Sequence, residues 1–77
     1  MCKITCQDLR DQLQRAQISA SIFRNMMQQD IAALNTNPNH PDKDMMLLNI
    51  EDCQGKLQDA EAEISGVTIA MALAGCR

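Results

Sequence analysis

Asn35-Thr36-Asn37-Pro38-Asn39-His40-Pro41 decides the fold of this 77-residue chain. Each proline disfavours helix in the residue before it, and asparagine favours turns. No other proline occurs, and glycine stands only at 55, 66 and 75. The sequence therefore reads as helix, turn, helix: a single all-α hairpin spanning 1–77, with helix 1 at about 5–35, the turn at 36–41 and helix 2 at about 42–75. Asp42 and Asp44 are expected in the first turn of helix 2, where carboxylates suit the helix dipole, with Pro41 as an early helical residue.

The arms on either side carry matching heptads. In the second, Met46, Ile50, Cys53, Leu57, Ala60, Ile64, Val67, Met71 and Ala74 alternate spacings of four and three. In the first, Cys6, Leu9, Leu13, Ala16, Ala20, Phe23 and Met27 do the same, resuming at Leu34. This is the a/d seam of a coiled coil. The flaw is Asp30, with Ile31 beside it, which reads as a local stutter. Folding at the turn pairs positions whose numbers add to about 80. Leu34 then meets Met46, Met27 meets Cys53, Phe23 meets Leu57, Ala20 meets Ala60, Ala16 meets Ile64, Leu13 meets Val67, Leu9 meets Met71 and Cys6 meets Ala74. Asp30 falls opposite Ile50. The expected arms are roughly 45–50 Å long.

A second apolar set lies off the seam. Ile18, Ile22 and Met26 share another face of helix 1, Met45, Leu47 and Leu48 crowd the start of helix 2, and Ile69 and Leu73 sit near its end. Exposed apolar rows mark partner surfaces, so Ile18, Ile22, Met26, Leu47, Leu48, Ile69 and Leu73 are the candidate interface. A two-helix unit of this size buries too little to stand well alone and is expected to form a homo-oligomer or to join another helical protein.

Composition narrows the function. The chain has one aromatic residue, Phe23, and a net charge of −3, with lysine and arginine scattered. The missing basic patch argues against nucleic acid. The longest apolar run, 67–74, is too short to insert across a bilayer. Met1 to Asp8 lacks the apolar core of a signal peptide. The expected location is the cytoplasm, or export without a cleaved signal.

Chemistry finds few footholds. Cys53 lies 23 residues from Cys76 on one helix, roughly 35 Å away, so the four cysteines cannot share a site. Cys2, Cys6 and Cys76 converge at the open end of the hairpin, where three readings stay open: free thiols, a metal site, or a disulfide from Cys6 (or Cys2) to Cys76. His40 sits at the opposite tip, too far away to form a dyad. Glu51, Asp52, Asp59, Glu61 and Glu63 read as the wet face of helix 2, and the methionine pairs 26–27 and 45–46 as gap-filling apolar residues. Leu73-Ala74-Gly75-Cys76 has the form of a lipobox, a motif that works at the end of an N-terminal signal, and is taken here as chance. The expectation is a non-enzymatic protein with no cofactor and no catalytic or metal residues.

The turn and its flanks, Ile31-Ala32-Ala33-Leu34 through Pro38-x-x-Pro41 to Met46-Leu47-Leu48, resemble those of type III secretion needle subunits. Beyond the turn the likeness continues weakly to Ile64, Ser65 and Ile69. That resemblance implies a bacterial helical hairpin that stacks into a hollow filament and is held before export by small helical chaperones. Helix 2 departs from the pattern in having no aromatic residue and in its uncharged end, 70–76, and four cysteines are unusual for such a subunit. Alongside this assembly reading stands a small adaptor, chaperone or phage-type inhibitor that lays its hairpin on a partner protein.

Overall fold

A computed structural model describes residues 4–76. Two helices of 31 residues, α1 (Cys6–Thr36) and α2 (Lys43–Leu73), pack side by side as an antiparallel hairpin. The molecule is a rod measuring 54 × 23 × 14 Å. Among the described residues no helix is long and apolar enough to cross a membrane.

The proline spacing has a direct physical cause. The amide of His40 donates to the Asn37 carbonyl at 3.1 Å, and the amide of Lys43 to the His40 carbonyl at 3.0 Å. The connection is thus two consecutive β-turns, 37–40 and 40–43, with Pro38 and Pro41 each at the second position, where a fixed φ is pre-set for the bend. Asp42, at φ −99° and ψ 20°, has the dihedrals of the third position of a type I turn. Pro41 therefore belongs to the turn and not to the first helical positions, and α2 starts at Lys43, with Asp42 as its N-cap.

The open end is fixed by two local caps. Thr5 and Asp8 form a reciprocal capping box: the Asp8 amide donates to Thr5 Oγ1 at 3.1 Å, and the Thr5 amide to Asp8 Oδ2 at 3.0 Å. Helix 1 begins after Thr5 for that reason. At the far end of α2, Gly75 takes φ 72°. Its amide donates to Ala72 and the Cys76 amide to Met71. This pair of bonds is a Schellman motif, and it stops α2 at Leu73, two residues short of the expectation. Ala74-Gly75-Cys76, lipobox-like in sequence, is here a helix stop.

The seam holds the two helices together. Leu9, Ala16, Ala20, Cys53, Leu57, Ala60 and Val67 are buried, and Leu13, Phe23, Met27, Leu34, Ile50, Ile64 and Met71 are half-buried. Ala20, Leu57 and Ala60 form the central cluster, with Phe23, Met27 and Ile64 packed on it. Small residues let the helix axes approach closely, at the cost of a thin core. Cys6 is joined to Cys76 by a disulfide with a Cα–Cα distance of 5.6 Å. Linking residues 70 apart constrains the unfolded chain by about 4 kcal/mol on the loop-entropy account.

Two outcomes test this account. Leu57→Asp places a charge at the central cluster and should abolish most helical circular dichroism; retained helicity would refute the register. Hydrogen bonding from the Thr5 backbone amide, and then from the Thr5 side chain, holds the Asp8 carboxyl below its ordinary value of 3.8. A depressed folded pKa stabilises above the unfolded value and is lost as pH falls through the folded one. The capping box should therefore persist at neutral pH and fail below 3.8. The thermal midpoint of the wild type should approach that of Asp8→Asn there, as followed by melts across that range.

Candidate interaction surface

Closing the seam leaves apolar side chains on three separate patches. Steps of four residues turn a helix by about 400°, so Ile18, Ile22 and Met26 form a shallow diagonal ridge across the outer side of α1. All three are exposed, Ile22 by half. Leu47 and Leu48, joined by Met45, form a patch at the turn end of α2, with Leu48 65% exposed. Ile69 (60%) and Leu73 (85%) form the third, at the open end of α2. Leu48 and Ile69 are 21 residues apart, roughly 30 Å along the helix. The candidate residues are thus all on the surface, but they do not form one contiguous face. Exposed Ile4 and Ile31 extend the set. Ile31 follows Asp30 one step off the seam, which turns its side chain outward.

Between the two α2 patches the surface is low and acidic. A shallow depression over Gly55 is lined by Leu48, Glu51, Asp52, Lys56 and Asp59. A Cβ at Gly55 or Gly66 would meet nothing within 4 Å, so neither glycine is demanded by packing within the hairpin. Lys56 bridges to Asp52 at 2.9 Å, one helical turn away, and its ammonium lies 5.7 Å from the Phe23 ring centroid. The hydrogen bond and charge of Asp52 raise the Lys56 pKa above its ordinary value. Arg24 and Glu61 approach to 3.5 Å across the helices, and Gln12 donates to Glu63 at 3.2 Å. Half-exposed ties of this kind align the helices while contributing little stability.

The seam flaw at Asp30 has a specific answer. Beside Ile50, Asn49 supplies a polar partner: Asp30 Oδ2 accepts from Asn49 Nδ2 at 2.6 Å, in a part-buried position. Asn49 Oδ1 in turn faces the Cys53 thiol, the donor, at 3.9 Å. Cys53 is a free cysteine, 2% exposed. A polar pair inside an apolar seam favours one register over its neighbours, because any slip strands the carboxylate. Its sequence signal was an asparagine one position from the residue facing the flaw.

The remaining candidates are dispersed. His40 is half-buried in the turn, its Nδ1 accepting from the Asp42 amide at 3.0 Å. Cys6 and Cys76 are both half-buried and bonded to each other; Cys2 lies outside the described residues. Among the described residues no three His, Cys, Asp or Glu side chains converge on a metal-binding point. The chain matches no protein-family model, no curated protein and no solved structure.

Asn49→Ala removes the donor that bonds the Asp30 carboxylate across the seam, and should destabilise the hairpin by about 1–3 kcal/mol. Asn49→Ala with Asp30→Leu should recover most of that loss. Chemical denaturation of the three proteins checks it, and a neutral single variant would refute the register role.

Proposed function

We propose that this chain is a non-enzymatic assembly protein, a hairpin that packs against further copies of itself through the apolar patches outside its seam. One observation carries the reading: the seam is consumed internally, yet Ile18, Ile22 and Met26 on α1, and Leu47, Leu48, Ile69 and Leu73 on α2, stay exposed. Apolar surface kept in water has no benefit to the isolated hairpin. The distribution favours several neighbours over a single binary contact. A lone partner is served by one contiguous patch, whereas three patches on two helices, spread along a 54 Å rod, suit a unit flanked on more than one side. Association through two different surfaces is heterologous, and heterologous contacts that do not close into rings continue as filaments. The Pro38-x-x-Pro41 turn, which resembles that of secretion needle subunits, supports the same direction. An adaptor that docks on one foreign protein would use the same residues but would leave the purified chain monomeric.

Light scattering behind size exclusion, with negative-stain microscopy, tests the proposal on the oxidised chain. Mass should rise with concentration toward elongated oligomers. Ile18→Asp with Ile22→Asp should return the chain to a monomer of unchanged helicity. A wild-type chain that stays monomeric throughout would overturn self-assembly in favour of the adaptor.

A further inference from the structure

The open end of the hairpin is built differently from its middle. Around Phe23 and Leu57 the seam is a packed cluster, and toward the turn Cys53 is fully enclosed. Beyond residue 64 the buried set thins to Val67 on α2 and Leu9 on α1, with Leu13, Ala70 and Met71 half-covered. The sequence there is also a poor helix former. Gly66-Val67-Thr68-Ile69 sets a glycine before three β-branched residues, each of which loses conformational freedom in a helix. Thr68 bonds back to the Ile64 carbonyl at 2.7 Å, a contact that competes with regular helix geometry. No charged residue follows Glu63 until Arg77, so this stretch has no ionic side chain of its own with which to hold α1. What closes it is covalent: the Schellman turn at Gly75 directs Cys76 back to Cys6, at the first position of α1.

We propose that the Cys6–Cys76 disulfide is a redox latch that holds the end of α2 and its stop, from Gly66 to Cys76, against α1, and that its reduction releases this segment while the central seam stays folded. The reductant is a dithiol. Its thiolate attacks one sulfur, breaking the Cys6–Cys76 bond and forming a mixed disulfide; its second thiolate then displaces the protein sulfur. Cys6 and Cys76 leave as thiols, two electrons and two protons having passed to the protein and the reductant ending as its own disulfide. Half-burial leaves the bond within reach of a small thiol, whereas Cys53 is sealed in the seam. Release uncovers Val67 and Met71 on α2, on the side of the helix away from the already exposed Ile69 and Leu73, and Leu9 and Leu13 on α1, so the reduced end offers new apolar surface on both arms to another helix. An oxidising compartment keeps the hairpin shut, and a reducing one opens this end alone.

Amide hydrogen exchange read by mass spectrometry tests the latch in a Cys2→Ser background, which excludes exchange with the third thiol. With the disulfide intact, protection should extend through residues 66–74. After dithiol treatment it should fall at least about tenfold there, with peptides covering 16–30 and 50–62 little changed. Cys6→Ser with Cys76→Ser should show the reduced pattern and ignore the reductant. Equal protection at 66–74 before and after reduction would overturn the proposal. Loss of protection along the whole chain, or failure of the double variant to fold, would overturn it equally, because the bond would then hold the entire fold. Absence of the disulfide in the intact mass of the oxidised chain would remove its basis.

Discussion

The apolar seam between two antiparallel helices is the interaction on which everything else in this molecule rests, and it is a narrow one. Alanines 16, 20 and 60 and Cys53 supply much of the buried surface, with Leu9, Leu57 and Val67 between them. Small seam residues bring the helices close but remove little area from water, and area is what stabilises. A rod 54 Å long and 14 Å thick also has an unfavourable ratio of surface to interior. The fold therefore depends on features that act locally at its ends: the tandem turns at 37–43, the Thr5–Asp8 box, the Gly75 stop and the bond from Cys6 to Cys76.

These end features divide the rod into parts of unequal strength. The middle is held by side-chain packing and, nearer the turn, the register is held by the Asp30–Asn49 pair, which penalises a shift more than it adds stability. The turn end is held by backbone geometry that two prolines pre-set. The open end has the weakest helical sequence and the covalent tie. A molecule arranged this way keeps its central seam while one end responds to its surroundings, and the weak segment carries Ile69 and Leu73, two of the residues left for a partner.

The outer surface follows from the same economy of core. With the seam closed, the apolar residues that do not fit the heptad have nowhere to go but outward. The diagonal of Ile18, Ile22 and Met26 and the separated patches of α2 are the result, with a low acidic stretch over Gly55 between them. Their separation, more than their hydrophobicity, is what supports the proposal of a unit with several neighbours over a single docking groove.

Two prolines in a run of asparagines and a four-three spacing were enough, in the sequence alone, to set the hairpin and most of its seam; Ala74, expected opposite Cys6, lies instead exposed past the helix stop, where Cys76 meets Cys6. Heptad periodicity and proline sterics are local rules, and a hairpin is the fold in which local rules settle almost everything. Tertiary structure decided what depends on side chains meeting across the helices or on backbone dihedrals at the ends. That Asp30 takes a hydrogen bond from Asn49 turns on side-chain placement within one helical turn, which periodicity does not resolve. That Leu73-Ala74-Gly75-Cys76 is a helix stop, aiming Cys76 at Cys6, required the left-handed glycine at 75, and three readings of the end cysteines had been open until the two chain ends were placed together. Whether the exposed residues form one face or three was likewise fixed only in three dimensions, because a four-residue step drifts around the helix and carries successive side chains off any single side.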